Sequence, residues 1–362
     1  VSFFSLEDSY LEEVIIIGGG IAGLSCLNAL IDRGVSALLL EGGTIGSNKM
    51  CGEFLSPSVK SILERWDIGP ANNISNAEFC TNKTKFELQF PETAFAFSRS
   101  EAELQLAARA KLLGGRIREN TLVNFIQPKS NNSDYVFSLA DEEKITAKSA
   151  IFATGRLGQK INKISLPYVG VKFYIPTVLK PASLIMHSLK NGYFGIVPLS
   201  DQESNCAGLI KKETIKQHGS FINYLKESSK TNIFLKKHLA EIDLDVIRPL
   251  EASIPSFGFK KIPNWPDAYW IGDAMASLYP AIGSGFSHSI NSAIQAAEFY
   301  VCHDAVNYQK KISANLNKKI MFGKYLHYIL MQPKFNYLLI PLIKKFPFIV
   351  DFLLKQIGYK LP

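Results

Sequence analysis

Hydrophobic and polar positions along this chain follow two periods. Residues 14–17, VIII, form a continuous apolar run, followed by Gly18, Gly19 and Gly20 and then by IAGLSCLNALIDR, where apolar residues recur at helical spacing up to Gly34. The pattern predicts strand, tight turn, helix. Residues 36–41, SALLLE, predict a second buried strand ending in an acid, completing a right-handed βαβ unit.

The period changes over residues 79–97, where FELQF and AFAF alternate as half-buried antiparallel strands do, so a second sheet is expected there. Ser100 with Glu103 three positions later reads as a capping box, and Leu104, Ala107, Ala108 and Leu112 as the buried face of the helix that follows, up to Gly114 and Gly115. Short strands are expected at 116–125, 133–139 and 149–155, with more across 169–210, and a helix over 213–240. From Asp267 the run DAYWIGDAMASLYPAIGSGFSHSINSAIQAAEFY predicts strand, glycine and proline loop, helix. The fold class is therefore α/β. A Rossmann-like domain with a central parallel sheet is assembled from residues 1–75, 98–165 and 255–310, an antiparallel-sheet substrate domain from 76–97 and 166–254, and a C-terminal segment of short helices from 311–362.

Composition narrows the classes. With 362 residues, 47% hydrophobic and 20% charged, the chain can bury a real core, which excludes disordered, collagenous and coiled-coil readings. The five cysteines, at 26, 51, 80, 206 and 302, lack the density of a disulfide scaffold and the paired spacing of a zinc site, so a reducing cytoplasmic home and no metal are expected. The net charge of +8 is concentrated: residues 303–362 hold ten lysines and two acids, 10 − 2 = +8, leaving zero for the first 302 residues. That distribution does not suit a nucleic-acid groove. No apolar run approaches the roughly 20 residues of a spanning helix, but lysines among Tyr, Phe, Leu and Ile suit peripheral contact with an anionic membrane face.

Gly18, Gly20 and Gly23 fit GxGxxG between a strand and a helix. The first glycine permits the turn, the second lets a pyrophosphate approach the backbone, and the third lets helix and strand pack closely. The helix N-terminus, with Ile21 and Ala22, offers unpaired N–H groups to phosphate. Glu41, 18 residues after Gly23 and followed by Gly42, is placed to accept hydrogen bonds from an adenosine ribose. A second loop carries Gly272, Asp273, Pro280, Gly283, Ser284, Gly285 and Phe286. There an acid can bind a polyol, and exposed amides can face an electron-rich flavin edge.

With these motifs the chain resembles the flavoprotein superfamily of p-hydroxybenzoate hydroxylase and, more closely, its geranylgeranyl reductase-like group. The fingerprint at Gly18 to Glu41, the segment KMCGEFLSP at 49–57, Arg99 before a capped helix and the GD…PxxGxG loop occur in the family's order and cover most of residues 12–300. The resemblance implies FAD as cofactor. Asp273 would hold the ribitol and Pro280 to Gly285 would lie along the pyrimidine side. Arg99 would reach the ribitol or phosphate, and Val123 would give backbone contacts near the adenine. Cys51 and Gly52 would adjoin the ring, Cys51 as candidate catalytic thiol, and NGYFGIVPLSD at 191–201 would roof the substrate cavity with Tyr193 and Phe194. Glu53 is read as a helix cap or surface carboxylate ahead of a proton donor.

The family's DG motif is replaced here by Ala153, Thr154, Gly155 and Arg156, and there is no second GxGxxG. The electron donor, NAD(P)H or another protein, is thus expected to dock transiently. The leading expectation is an FAD oxidoreductase that reduces C=C bonds of an apolar, isoprenoid or lipid-like substrate. A flavin monooxygenase acting on an aromatic or polyketide ring and an FAD-free lipid carrier of the same fold are the alternatives.

Overall fold

The computed structural model describes residues 11–69, 71–130, 133–156, 166–176 and 182–333, together with 350, 351, 354, 355 and 359. β1 (Leu11–Ile17), α1 (Ile21–Ile31) and β2 (Ala37–Leu40) form the expected βαβ unit. The first strand begins earlier than its apolar run because Leu11 and Glu12 extend the ladder onto Thr146 and Ala147. α1 is apolar on every side, and residues 21–30 are all buried, as a helix enclosed on all sides must be. The chain then leaves through β3 (Phe54–Leu55), α2 (Lys60–Arg65), β4 (Asn72–Cys80) and β5 (Lys85–Ala96). It returns by α3 (Arg99–Leu112), β6 (Arg116–Arg118), β7 (Val123–Gln127), β8 (Tyr135–Leu139) and β9 (Lys144–Phe152).

A second excursion comprises β10 (Tyr168–Pro176), β11 (Ser183–Leu189), β12 (Gly192–Pro198) and β13 (Glu203–Lys211). It continues through α4 (Lys212–His218), α5 (Phe221–Thr231), α6 (Ile233–His238) and β14 (Leu250–Ile254). The last return brings β15 (Gly258–Phe259), β16 (Ala268–Trp270), β17 (Ala276–Ser277), α7 (Gly285–Val301) and α8 (Ala305–Leu330).

Among the described residues the first sheet has the order β6-β2-β1-β9-β8-β7, with β16 also on β9. β6, β2, β1, β9 and β16 run parallel. β8 pairs with residues 144–147 of β9 and β16 with residues 150–152. Its core contains Val14, Ile15, Ile16, Leu24, Leu39 and Ile151, all fully buried. The second sheet has the order β14-β10-β13-β12-β11-β4-β5-β3 and is antiparallel except where β11 meets β4. α4, α5 and α6 cover its outer face.

The structure departs from the sequence reading in several places. The second sheet takes in Phe54–Leu55 and begins at Asn72, because both segments pair with β5. The α3 cap is Ser98, whose side chain accepts from the Glu101 N–H, whereas Ser100 donates to the Gly46 carbonyl and Glu103 turns inward. The buried face of α3 is Ala102, Glu103, Leu106, Ala107 and Ala110, while Leu104 and Leu112 are exposed. This face meets α1, where the Asn28 amide donates to the Leu106 carbonyl at 2.9 Å. The helix expected over 213–240 is three short helices, divided at Gly219 (φ 77) and at Asn232, which caps α6.

Residues 305–330 form one long helix rather than a bundle of short ones, buried along Tyr308, Ile312, Leu316, Gly323, His327 and Leu330. No helix among the described residues is long and apolar enough to cross a membrane. Residues 334–349, central to the expected membrane contact, lie outside the described residues. Leu354 and Tyr359 are buried against the cluster of Phe54, Phe90 and Val197.

Candidate functional site

The turn after β1 is fixed by contact. A Cβ at Gly23 would stand 1.8 Å from the Gly18 carbonyl oxygen, and one at Gly18 (φ 108) would stand 2.5 Å from that of Ala153. No side chain fits at either position. Glu41 folds back over this turn: its carboxylate accepts from the Gly19 N–H at 2.5 Å and the Gly43 N–H at 2.9 Å. It keeps further lone pairs for a ligand hydroxyl. Gly20, Ile21 and Ala22 line a cleft of about 920 Å³. Gly42 lies under the Leu122 side chain. Val123 starts β7 next to that residue, packs against the core and is not among the residues that line the cleft.

The second loop faces the same cleft from the far side. Gly272 (φ 56) would meet Ala22 if it carried a Cβ, and its N–H donates to Ser292 Oγ at 2.9 Å. Asp273, Pro280, Gly283, Gly285 and Phe286 line the cleft. Gly283 is left-handed (φ 60), and a Cβ there would strike the Phe54 ring at 2.8 Å. Gly52, Gly155 and Gly285 have open space where a Cβ would be, so backbone rather than side chain faces the cleft. Ser284 is buried and donates to the Ile282 carbonyl, which stiffens the loop.

Arg99 sits over the first glycine turn, its Nη2 3.4 Å from a Cβ built on Gly20. Beneath it the fully buried Glu103 accepts from Arg99 Nε and Lys49 Nζ, each at 2.9 Å. A buried carboxylate held by two cations fixes the Arg99 guanidinium firmly over the turn. Arg156, not singled out from the sequence, donates from Nε to Asp273 Oδ2 at 2.8 Å. The only sequence signal for it was the substitution of the DG motif at 153–156.

From this cleft a second, apolar space of about 1070 Å³ opens beneath the antiparallel sheet. Met50, Cys51, Gly52, Phe54, Arg156, Pro280 and Gly283 border both spaces. Cys51 thus stands at their junction, its carbonyl held by Asn205 Nδ2 at 3.1 Å. Burial pushes its thiol above the ordinary range, so Sγ keeps its proton at neutral pH.

Tyr193 lines the apolar space, but Phe194 does not. Successive residues of a strand face opposite ways, and Phe194 packs on the outer face against Phe173 and Phe221. Behind Tyr193 the buried His327 of α8 lies 3.5 Å from its hydroxyl by Nδ1 and 3.0 Å from the Tyr168 hydroxyl by Nε2. Burial pulls the His327 imidazole down to about 4, so it is neutral at pH 7.

Glu53 is not a surface group. It is fully buried in left-handed backbone (φ 55), and its Oε1 accepts from the Arg99 N–H at 2.9 Å, Lys172 Nζ at 2.8 Å and the Tyr174 hydroxyl at 3.2 Å. Capping of α3 is therefore real, and a buried ion pair accompanies it. Burial would lower the Lys172 ammonium, but the Glu53 carboxylate outweighs this and holds it above the ordinary range. Glu53 Oε2 and Thr154 Oγ1 are buried polar atoms that find no partner among the described residues. Glu53 lines the cleft, and Thr154 lies between two residues that do. Orphaned acceptors and donors around a cleft walled by glycine backbone fit a polar, flat-ringed dinucleotide such as FAD.

No protein-family model matches the chain. It is 21% identical over 330 residues to a menaquinone reductase of Mycobacterium tuberculosis, covering 83% of this chain and 78% of that protein. Among solved structures it is similar to the flavin-dependent brominase Bmp2, with a TM-score of 0.78, 15% identity and coverage of 96% of this chain and 93% of the other. A geranylgeranyl bacteriochlorophyll reductase-like protein from Thermoplasma acidophilum superposes with a TM-score of 0.66 at 19% identity, covering 89% and 88%. The α/β fold with a parallel sheet and a separate antiparallel sheet is thus that of flavin-dependent enzymes, as the sequence resemblance implied.

Proposed function

We propose that the chain is an FAD-dependent oxidoreductase that reduces a C=C bond of an apolar, isoprenoid or quinone-like substrate. The observation that carries this reading is the continuity of a glycine-walled dinucleotide cleft with an apolar cavity through one shared border at Met50 to Phe54, Arg156 and Pro280 to Gly283. The similarity to a menaquinone reductase, a protein named for a lipid quinone, supports an apolar substrate.

Gly18 to Gly23 and the α1 N-terminus would hold the pyrophosphate, Glu41 the adenosine ribose, Asp273 the ribitol, and Pro280 to Phe286 the ring edge. When bound and reduced, FAD supplies a hydride equivalent. The chain's own residues do the rest. The cavity walls, among them Phe79, Met186 and Leu209, exclude water and orient the apolar substrate toward the border. Saturating C=C requires a proton as well as a hydride, and the Cys51 Sγ–H holds one where the two spaces meet.

The test is an anaerobic single turnover. Purified yellow protein, reduced chemically or with NAD(P)H, is mixed with a prenylated naphthoquinone or a polyprenyl compound. Stoichiometric re-oxidation with a product two hydrogens heavier supports the reading. Re-oxidation by oxygen alone, with an oxygen atom inserted into an aromatic substrate, supports a monooxygenase instead, and colourless protein that cannot be loaded with FAD defeats both.

A further inference from the structure

We propose that Cys80, His187 and His238 form a binding site for one zinc ion on the outer face of the antiparallel sheet, distant from the flavin chemistry. Their ligand atoms all lie within 4.8 Å of one another. Cys80 and His187 face each other in register on β4 and β11, and His238 is the last residue of α6. His187 Nε2 and His238 Nδ1 are 3.0 Å apart. Two nitrogens and a sulfur at about 2.0–2.3 Å from one tetrahedral ion require separations only slightly wider than this.

Three further features fit a site for a metal rather than a chance meeting of side chains. Cys80 and His187 are 1% and 0% exposed, so the donors lie inside the protein and not on its surface. The third ligand is delivered by a helix anchored at its other end, where Asn232 accepts from the Leu235 N–H at 2.9 Å and the Ile233 N–H donates to the Asn82 carbonyl at 3.1 Å. A carboxylate borders the three: Glu78 Oε1 accepts from Cys80 Sγ at 3.2 Å and lies 3.8 Å from His238 Nε2, while its Oε2 is held by Lys85, and the fourth position is left to a water. One thiolate and two imidazoles suit zinc better than magnesium or calcium.

Metal entry displaces the Cys80 proton to solvent, and no redox change is involved. The site lies among Phe173, Phe194, Phe221 and Leu235, on the side of the sheet away from the apolar cavity. An ion there would clip α6 to β4 and β11 and stiffen the cavity roof from behind. Sequence spacing hides it, because the three residues come from three separate elements.

The flavin-loaded full chain is incubated with Zn(II), gel-filtered and assayed for metal. About one ion per chain is expected, with X-ray absorption showing sulfur at about 2.3 Å and nitrogen at about 2.0 Å. Cobalt should give a thiolate charge-transfer band that disappears in Cys80→Ser. His238→Ala, at a helix end, should lower zinc affinity by about tenfold or more and abolish the zinc-dependent rise in Tm. Cys302→Ser should change neither, and flavin content reports that each variant is folded. No retained zinc in the parent, or equal retention in Cys80→Ser and His238→Ala, would overturn the proposal. Flavin loading is measured separately, so failure here leaves the flavin reading standing.

Discussion

The two sheets carry their chemistry in different places. In the parallel sheet the candidate contacts lie beyond the C-terminal ends of strands: Gly18 to Gly23 after β1, Glu41 after β2, Ala153 to Arg156 after β9, and Gly272 with Asp273 after β16. In the antiparallel sheet they lie within strands, one residue in two. Tyr193, Gly195 and Val197 of β12 face the cavity, while Phe194 and Ile196 face the helices behind it. A turn is defined by its glycines and can be read as a motif. A strand position means nothing until its parity and its neighbours are known.

This contrast predicts effects of different kinds. The largest is expected at the turn: Gly23→Ala forces a Cβ against the Gly18 carbonyl and should reduce bound flavin by about tenfold or more, read from the flavin-to-protein absorbance ratio after gel filtration. Next comes the ion pair inside the second sheet. Glu53→Gln leaves the Lys172 ammonium buried beside an amide and should cost about 3–5 kcal/mol in denaturant unfolding, most of it recovered by adding Lys172→Met. Full loss that the second substitution does not recover would mean that the pairing with Lys172 is not what Glu53 contributes.

Strand parity is tested by neighbours. Phe194→Ala should lose about 3–4 kcal/mol of stability with KM unchanged, and Tyr193→Phe should lose under about 1 kcal/mol while changing turnover. The reverse pattern would place Phe194 in the cavity. A further effect concerns pH. His327 is enclosed by Tyr168, Tyr193, Tyr279, Phe257 and Tyr328, with Lys211 nearby. Its imidazole ordinarily titrates at 6.5, but here at about 4, so between these values the unfolded chain takes up a proton that the folded chain resists. Stability should therefore fall by about 2.5 kcal/mol as pH drops from 6.5 to 4, and His327→Gln should flatten that slope.

The same division explains what the sequence made legible. The βαβ unit, both glycine loops and the two excursions into a second sheet were visible because each is a local pattern of apolar period and turn residues. Phe194 was misassigned because its composition suits either face of β12. Glu53 was read as a cap or surface group because its partner Lys172 is 119 residues away. Arg156 acquires meaning only through Asp273, 117 residues later. The α3 cap moved from Ser100 to Ser98 because Glu103 was drawn inward by Arg99 and Lys49, a tertiary demand that a local capping rule cannot register.

The central claim is that an apolar substrate reaches the cofactor through the cavity beneath β12. Gly195 offers the most direct measurement, because a Cβ there meets Met186, Ile185 and Ala207 only at 3.5–3.7 Å, ordinary contact distance, while facing the cavity. In the Gly195→Leu variant, anaerobic re-oxidation of reduced flavin by a prenylated substrate is predicted to slow by about tenfold or more, with flavin content and re-oxidation by ferricyanide unchanged. An unaltered rate with the prenylated substrate would contradict the account.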